Sequence, residues 1–465
     1  MRAIGLIGLG VMGRNLALNL AGHGIAVHAY DLDEAARTGL AGLESIRLSR
    51  SPAALLAGLE RPRAILVMVN AGAATDRAIE SLEPGLSAGD ILADGGNAHY
   101  TDTIGRARAL GKSGVRFLGL GVSGGAEGAR LGPALMAGGD AGAFRELEPI
   151  LDAIAAKAGG RACLGYFGGD GAGHFVKMVH NAIEYAVMAA IAEAWFALRH
   201  LAGLAHGEAA EAIAGWNRGE AQSYLLEITA DVLGRIDGAS GQPLVEMVLD
   251  RAEQKGTGAW AVEASLALGV AAPSLAEAVF ARTLSSAKEE RVAAELRLGS
   301  PLHVDPSQRD ALRRQLPRAL FAATLACYAQ GFQLLAAGSS QHGWNIDPAA
   351  VAEVWRGGCI LRAALLDPIA AAFRGAPGLA NLMLDSALAA AMAEREADWR
   401  AMVAAALVGG APVPVLASAL AYAQGYRTKR GAAALIQAQR DRFGGHGFQR
   451  IDRPGNHHGP WSGPE

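Results

Sequence analysis

Residues 3–13 are AIGLIGLGVMG, and this stretch decides the fold of the first part of the chain. A short apolar run predicts a buried strand that leads directly into a glycine-rich turn and a helix. Gly8, Gly10 and Gly13 have the G-x-G-x-x-G spacing, in which the glycines allow a tight turn, a close approach of pyrophosphate and close helix–strand packing. The stretch therefore predicts a dinucleotide site. The alternative is a glycine-rich turn that binds nothing.

Outward from this stretch, short apolar runs alternate with segments of helical period. The predicted strands lie at 3–8, 25–31, 64–69, 90–95, 115–121 and 133–139. Several are continuously apolar, as in a parallel sheet that is buried on both faces. We expect an α/β Rossmann-like domain over 1–171, a large all-helical domain over 172–430 and a C-terminal tail over 431–465. The tail is rich in Gly, Pro, His and Arg, so it must pack on something or be disordered.

Length and charge limit the class of protein. A chain of 465 residues is too long for one core, and a net charge of −3 argues against a nucleic-acid or membrane-surface protein. Cys163, Cys327 and Cys359 have no metal-ligand or disulfide spacing, so we expect no metal site and a reducing, cytoplasmic location. The most apolar helical segment, 186–198, contains Glu193 and is expected to be a buried helix and not a membrane span.

Asp31 follows the second predicted strand, roughly 20 residues after the glycines. A carboxylate at this point hydrogen-bonds the ribose hydroxyls of NAD and repels the 2′-phosphate of NADP. Leu32 and Asp33 supply no cation for such a phosphate. The sequence therefore favours NAD over NADP. The alternative is that Asp31 only caps the next helix.

The stretch 171–185, GAGHFVKMVHNAIEY, carries the strongest chemical pattern. Lys177, His180, Asn181 and Glu184 are spaced i, i+3, i+4 and i+7, and so lie on one face of a helix. The lysine and the glutamate would stand about 10 Å apart along the axis. This is an arrangement for acid–base chemistry. The alternative is a solvated helix face with an ion pair.

Two further segments provide polar groups near the predicted sheet. Asn97, in DGGNAHY, follows a strand at the carboxyl edge where α/β proteins bind ligands. Ser123, Gly124 and Gly125 form a flexible loop with a hydroxyl and free amides. The loop partly matches a nucleophile elbow, but it lacks the G-x-S-x-G spacing and has no obvious His or Asp partner, which disfavours a hydrolase.

Cations that could bind a phosphate occur later in the chain. Lys255 and Thr257 lie in the glycine-bounded turn EQKGTGAW, and Arg282 lies in FARTLSS. Each alone fits a solvated surface position as well as a ligand. Arg440 and His446 lie in the tail, where they are either solvated or delivered to an active site.

The motifs GLGVMGRNLALNL, MVNAGAATD, DGGN, GVSGGAEGA, GGDGAGH, FVKMVHNAIEY, EQKGTGAW, RGGCILRA and LIQAQRDRFGGH occur in this order. Together they resemble the long form of the decarboxylating 6-phosphogluconate dehydrogenases, within the β-hydroxyacid dehydrogenase superfamily. The resemblance implies oxidative decarboxylation of 6-phospho-D-gluconate to D-ribulose 5-phosphate, in the pentose phosphate pathway. It also implies a homodimer in which each tail reaches the partner subunit.

By resemblance, Lys177 is the general base and Glu184 the general acid. The implied substrate-binding residues are Asn97, Ser123, Gly124, Gly125, His180, Asn181, Tyr185, Lys255, Thr257, Arg282, Arg440 and His446. The cofactor-binding residues are expected to be Gly8, Gly10, Val11, Met12, Gly13, Asp31, Leu32, Val69, Asn70 and Asn97.

The chain departs from the family pattern on the cofactor side. Long-form members carry Asn-Arg-Ser or Asn-Arg-Thr after the second strand, where this chain has Asp31-Leu32-Asp33, and Asn70 replaces a lysine in the family's VKAG motif. Both changes remove positive charge, so NAD is favoured and NADP is left possible. The rival hypotheses are another β-hydroxyacid dehydrogenase and a nucleotide-sensing protein with a decayed site.

Overall fold

The computed structural model describes residues 3–253 and 256–461. The chain divides into two compact units, and the division falls after Ala419. The first unit contains the large sheet and most of the helices, and the second contains the C-terminal segment. The domain boundaries expected after residues 171 and 430 stay predictions.

The strands of the described residues are β1 (Ala3–Ile7), β2 (Ala26–Tyr30), β3 (Ile46–Leu48), β4 (Ala64–Val67), β5 (Ile91–Asp94), β6 (Arg116–Val122), β7 (Leu135–Gly139), β8 (Lys157–Ala158), β9 (Arg161–Ala162), β10 (Leu164–Tyr166), β11 (Phe448–Gln449) and β12 (Asn456–His457). Eight of them form one sheet in the order β10-β7-β6-β5-β4-β1-β2-β3. The run from β3 to β6 has the Rossmann order, with β1 at the centre between β2 and β4. The predicted α/β fold is confirmed.

The six predicted strands are all present, and the sheet is parallel except between β6 and β7. The parallel arrangement that the continuously apolar strands indicated does not hold at this pair. Residues 123–134 join the two strands, and this link is at the lower limit of a parallel crossover, so β7 returns antiparallel. Strands β3 and β10 were not predicted, because three residues give too short a pattern.

Both faces of the sheet are covered. Neighbouring residues of β1 point in opposite directions, so Leu6 packs into one apolar core and Ile7 into another. Leu66 pairs with Leu6 across the β1–β4 ladder and belongs to the same core as Leu6. Burial on both faces explains why the strands are continuously apolar and do not alternate.

The helices of the described residues are α1 (Val11–Gly22), α2 (Glu34–Thr38), α3 (Pro52–Ala57), α4 (Ala73–Leu82), α5 (Tyr100–Gly111), α6 (Gly125–Leu131), α7 (Ala141–Ile154), α8 (Ala172–His200), α9 (His206–Trp216), α10 (Tyr224–Gly234), α11 (Leu244–Met247), α12 (Thr257–Ala267), α13 (Pro273–Ser286), α14 (Lys288–Leu298), α15 (Arg309–His342), α16 (Pro348–Val354), α17 (Leu366–Gly375), α18 (Ser386–Val408), α19 (Pro414–Tyr426) and α20 (Ala433–Gly444).

Helix α8 connects the sheet to the helical part of the first unit. It packs on β6 and β7 and also on α12, α13 and α15. A Cβ atom at Gly173 would lie 2.4 Å from the Gly119 carbonyl oxygen and 2.5 Å from that of Met136. Glycine is therefore required in the first turn of α8, since any side chain would push the helix off the sheet. This contact fixes the direction in which the following residues of α8 point.

Two helical segments, Ala172–His200 and Pro306–His342, are long and apolar enough to cross a membrane by length and composition alone. Their most apolar stretches are 78% and 83% buried within the protein. Core helices meet the same criterion, so the finding is weak evidence for a membrane span.

Candidate active site

The glycine-rich turn between β1 and α1 has the backbone that a dinucleotide site needs. Gly8 has φ +96°, and a Cβ there would lie 2.3 Å from the Met68 carbonyl oxygen. A Cβ at Gly13 would lie 1.9 Å from the Gly8 carbonyl oxygen. The space next to Gly10 is open, and no side chain caps the N-terminus of α1. The first amides of α1 are thus available to an anion.

Asp31 faces this turn from the end of β2. Its Oδ2 accepts a hydrogen bond from the Leu9 amide at 2.5 Å, and its Oδ1 accepts one from the Asp33 amide at 2.9 Å. The N-cap of α2 is Asp33, whose own carboxylate accepts from the Ala35 amide. The alternative that Asp31 only caps α2 is therefore wrong, and the carboxylate is held at the mouth of the glycine turn.

Sequence reasoning missed Arg37 as a cation near this carboxylate. Helix α2 brings it back, so that its guanidinium donates to the Asp31 carbonyl oxygen at 2.5 Å and lies 5.8 Å from the centre of the Tyr30 ring. Leu32, in contrast, is 86% exposed. The guanidinium of Arg37 is hydrogen-bonded to backbone carbonyl oxygens. Its position near Asp31 could have been predicted only if the helix α2 had been predicted.

The other predicted cofactor residues lie near the carboxyl ends of the three adjacent strands β1, β4 and β5. Val11 is exposed in the first turn of α1, and Met12 beside it is half-buried. Val69 and Asn70 follow β4, and Asn97 is exposed after β5. The structure thus brings the predicted cofactor residues to one edge of the sheet, where open α/β sheets bind ligands.

Helix α8 places the predicted acid–base group as expected. Lys177 is buried, and its Nζ donates to Asn181 Oδ1 at 2.7 Å and lies 3.3 Å from His180 Nδ1. Glu184 Oε2 lies 3.6 Å from the same imidazole nitrogen. A Cβ at Gly121 of β6 would lie 2.5 Å from Lys177 Cβ, so a glycine in the strand makes room for the lysine. The alternative of a solvated helix face is excluded.

Burial shifts the pKa values of Lys177, His180 and Glu184 toward the uncharged form of each side chain. It lowers the pKa of Lys177, although the charges of Glu184 and Cys359 act against this. It raises the pKa of Glu184, against the charges of Lys177 and Arg282. Burial and the charge of Lys177 hold the pKa of His180 well below its usual value. The site therefore favours a neutral lysine, a neutral imidazole and a protonated carboxyl group.

Ser123 lies next to the imidazole, with its Oγ 3.3 Å from His180 Nε2. The expectation that it has no histidine partner is wrong, because β6 and α8 bring together residues that are far apart in sequence. Gly124 has φ +101° and Gly125 has φ +63°, and a Cβ at Gly124 would lie 2.5 Å from the Gly358 carbonyl oxygen. The loop is thus packed closely against the RGGC turn.

A second group of predicted residues surrounds the next part of α8. Tyr185 is 9% exposed, and the Arg282 guanidinium carbon lies 3.6 Å above its ring. Thr257 is buried at the start of α12. A Cβ at Gly258 would lie 2.9 Å from the Tyr185 ring, so this turn packs on the tyrosine. Lys255, the remaining residue of the group, lies outside the described residues.

Arg440 and His446 belong to the second compact unit and are exposed there. Arg440 donates to Gln437 Oε1 at 3.1 Å, and the His446 ring contacts that of Phe443 edge to face at 5.9 Å. Their expected place in a partner's site stays a prediction.

The RGGC turn matches the family pattern, but its contacts could not be predicted from the sequence. The Trp355 ring meets the His180 imidazole edge to face at 5.4 Å. Cys359 donates its thiol to the Trp355 carbonyl oxygen at 3.0 Å, and burial raises its pKa to about 12. A neutral thiol and an indole thus close one side of the site.

A polar network around the DGGN turn was also missed. Arg106 pairs with Asp94 at 3.4 Å, and Asp94 Oδ1 accepts from the Gly96 amide at 2.9 Å. His174, at the start of α8, has its Nδ1 2.7 Å from the Thr103 hydroxyl. These contacts hold the turn that carries Asn97. No three His, Cys, Asp or Glu side chains among residues 3–253 and 256–461 form a group suited to a metal.

Comparison with known proteins agrees with this geometry. The family model described as the NAD binding domain of 6-phosphogluconate dehydrogenase matches residues 3–168, and the model described as 6-phosphogluconate dehydrogenase, C-terminal domain, matches residues 173–461. A Bacillus subtilis relative, named as an NADP(+)-dependent, decarboxylating 6-phosphogluconate dehydrogenase, is 45% identical, and the alignment covers 98% of each chain. A decarboxylating 6-phosphogluconate dehydrogenase from Caenorhabditis elegans is 43% identical, with coverage of 99% of this chain and 96% of the relative.

Among solved structures, the 6-phosphogluconate dehydrogenase of Plasmodium falciparum superposes with a TM-score of 0.94. It is 35% identical, and the match covers 99% of this chain and 100% of that chain. That enzyme was solved in its apo form, with NADP+ and with 6-phosphogluconate. The chain described here therefore belongs to the 6-phosphogluconate dehydrogenase family.

Proposed function

We propose that this protein oxidises and decarboxylates 6-phospho-D-gluconate to D-ribulose 5-phosphate and CO2, with NAD as its preferred electron acceptor. The observation that carries the proposal is the buried Lys177, which shares hydrogen-bond contacts with His180 and Asn181 and lies on the same helix face as Glu184. Burial lowers the pKa of this lysine and so favours the neutral amine, which can accept a proton.

The glycine turn fits a nicotinamide dinucleotide. An uncapped helix N-terminus with open space at Gly10 suits a pyrophosphate, and the Asp31 carboxylate at the same turn suits ribose hydroxyls. When bound, the cofactor supplies the acceptor for one hydride. All other steps are assigned to residues of this chain.

In the first step, neutral Lys177 takes the proton of the substrate's 3-hydroxyl group while the hydride leaves carbon 3. The product is a β-keto acid, and Lys177 now carries a positive charge beside the new carbonyl oxygen. That charge polarises the carbonyl as the carboxylate leaves as CO2, and Lys177 returns the proton to the oxygen of the resulting enediolate. Asn181, which accepts from Lys177 at 2.7 Å, keeps the amine oriented.

In the second step, Glu184 gives its proton to the carbon that becomes carbon 1 of the product. Lys177 removes the enediol proton so that the ketone forms, and then passes that proton to the Glu184 carboxylate. Both groups end as they began. The raised pKa of Glu184 supports this role, because burial favours the protonated carboxyl group that the step requires.

Tyr185, Thr257 and Arg282 form the proposed phosphate end of the site. Arg282 is a fixed cation, since it stacks on Tyr185 and donates to the Glu253 carbonyl oxygen at 3.1 Å. Lys255 is proposed as the second cation from its position in the sequence alone. Binding energy from a phosphate far from the reacting carbon can hold that carbon in place. An enzyme acting on an unphosphorylated hydroxyacid would not need these cations.

The preference for NAD rests on charge. One carboxylate oxygen of Asp31 accepts from the Leu9 amide of the glycine turn and the other from the Asp33 amide, and Leu32 offers no partner for a 2′-phosphate. Arg37 of α2 is a cation in this region, and it donates to the backbone carbonyl oxygens of residues 31 and 32. In this respect we expect the protein to differ from its relative in Bacillus subtilis, which is named as NADP(+)-dependent.

We further propose a homodimer in which each tail contributes Arg440 and His446 to the partner's site. Large apolar side chains of the helical region are exposed in the single chain, as expected for an interface: Val232, Ile236, Met247, Val248, Leu249, Phe280, Leu284, Leu296 and Leu298. The tail also exposes apolar side chains: Leu435, Ile436, Phe443 and Ile451. The three cysteines are free and buried, which supports the cytoplasm as the proposed location.

One spectrophotometric assay tests the proposal. Formation of reduced cofactor is followed with 6-phosphogluconate or gluconate as substrate and with NAD or NADP as acceptor. We expect rapid turnover with 6-phosphogluconate and NAD, slower turnover with NADP and little with gluconate. Equal use of gluconate would favour a different β-hydroxyacid dehydrogenase, and absence of any turnover would favour a cofactor-binding protein.

A further inference from the structure

The tail is organised around one buried carboxylate, that of Asp441 in α20. Its Oδ1 accepts from the Gly447 amide at 2.8 Å and contacts His458 Nδ1 at 2.6 Å. Its Oδ2 accepts from the Gly459 amide at 2.9 Å and from Trp461 Nε1 at 2.6 Å. One side chain therefore fastens the segment after α20 at three separate points. The tail has its own polar core, which its composition did not suggest.

Gln437, one helical turn before Asp441, ties the same loop from the other side. Its Nε2 donates to the Gly447 carbonyl oxygen at 2.7 Å, and its Oε1 accepts from Arg440 at 3.1 Å. Gly447 is thus held through its amide by Asp441 and through its carbonyl by Gln437. It has φ +72°, and a Cβ there would lie 2.2 Å from Asn456 Nδ2, so this position requires glycine.

These contacts fix the two tail residues that matter for the proposed function. Arg440 is tied to Gln437, and His446 immediately precedes the clamped Gly447. Both side chains are nevertheless exposed, whereas Asp441 is 2% exposed. Asp441 and Gln437 hold the loop, and the side chains of Arg440 and His446 are accessible from outside it. Because Arg440 and His446 are ordered before a ligand binds, binding costs less side-chain and loop conformational entropy.

We propose that Asp441 and Gln437 are positioning residues, which set Arg440 and His446 at a fixed separation so that both bind one 6-phosphogluconate molecule. The inference rests on the proposed function. Neither positioning residue touches substrate, and each acts through the loop 444–447 or through Arg440. Asp441 supplies the anchor of the loop, and Gln437 couples that loop to the arginine.

The test compares Gln437→Ala and Asp441→Asn with Gln439→Ala, a matched control at an exposed position of the same helix. We expect the KM for 6-phosphogluconate to rise about tenfold or more in both positioning variants, as for one lost hydrogen bond to a charged group. The KM for NAD and the mass of the oligomer should stay as in the control. In an Arg440→Ala background, Gln437→Ala should raise the KM much less than it does alone.

Three results would overturn the inference: positioning variants that match the control, a KM for NAD that rises as much as that for the sugar acid, or an undiminished effect of Gln437→Ala when Arg440 is already alanine. The wild-type assay separates this inference from the proposed function. If wild type does not oxidise 6-phosphogluconate, both are refuted. If it does and the variants match the control, only the positioning role is refuted.

Discussion

Replacing Asp31 by Asn together with Leu32 by Arg should reverse the cofactor preference. The structure makes this pair suitable, because the Leu9 amide holds Asp31 at the glycine turn while Leu32 is 86% exposed. Asparagine keeps one oxygen, which can still accept from the Leu9 amide of the glycine turn, while the Asp33 amide loses its acceptor. The arginine enters at an exposed position where it displaces no packed side chain.

The size of the effect follows from the charges. A carboxylate and a phosphate charge about 4 Å apart repel by about 4 kcal/mol in the dielectric of a protein surface. The exposure at Leu32 indicates screening by solvent, so we take about half of this, ~2 kcal/mol. A hydrogen bond from the new arginine to the phosphate adds about 2 kcal/mol. The ratio of kcat/KM for NAD to that for NADP should therefore fall by about a thousandfold.

The assay is steady-state reduction of each cofactor at saturating 6-phosphogluconate, with Leu43→Arg as the control. Leu43 is exposed in the same part of the chain, so the control adds the positive charge of one arginine, as Leu32→Arg does, away from the Asp31 turn. A ratio that changes by less than about tenfold would refute the assignment of Asp31 as the selecting residue. A wild-type preference for NADP would refute it as well.

Three further changes test the rest of the site. Glu184→Gln removes the acid and should lower kcat by about 10²- to 10⁴-fold, with hydride transfer in the first turnover affected less than the formation of ribulose 5-phosphate. Gly121→Ala places a Cβ 2.5 Å from Lys177 Cβ, so we expect a displaced lysine, a loss of about 1–3 kcal/mol in the free energy of unfolding, and low activity. The control is Gly105→Ala, where a Cβ meets nothing within 4 Å, and its melting temperature and turnover should be close to those of wild type. Mixed dimers of Lys177→Met and Arg440→Ala subunits should regain activity if tails are exchanged, since one site then has an intact lysine and an intact partner arginine; dimers that stay inactive after verified subunit exchange would contradict the exchange.

Much of the fold could be predicted because its signals are local. A continuous apolar run followed by the glycines at 8, 10 and 13 specifies a strand, a turn and a helix within a few residues. A continuous apolar run does not specify the direction of its strand, because a strand buried on both faces has the same composition whether it is parallel or antiparallel to its neighbour. The reversed strand β7 was therefore not foreseen.

The proximity of Lys177, His180, Asn181 and Glu184 on α8 could be predicted from helical spacing, but their surroundings could not. The contact of Ser123 with His180 and the packing of Trp355 on the same ring join distant parts of the chain. The tail shows the same limit. Asp441 binds partners 6 to 20 residues away, and no periodic pattern marks them. Packing of this kind depends on tertiary geometry that composition and spacing leave undetermined.

The central claim is that buried Lys177 is neutral when it takes the substrate's proton. The pH dependence of kcat/KM for 6-phosphogluconate tests this most directly, measured for wild type and for Lys177→Met. Since burial lowers the pKa of the amine, activity should fall as the pH decreases through a value below the pKa of an ordinary lysine. The methionine variant should lose at least about 10³-fold in kcat while it stays folded. Substantial turnover by that variant, or a wild-type activity that requires the pH of an ordinary lysine, would contradict the account.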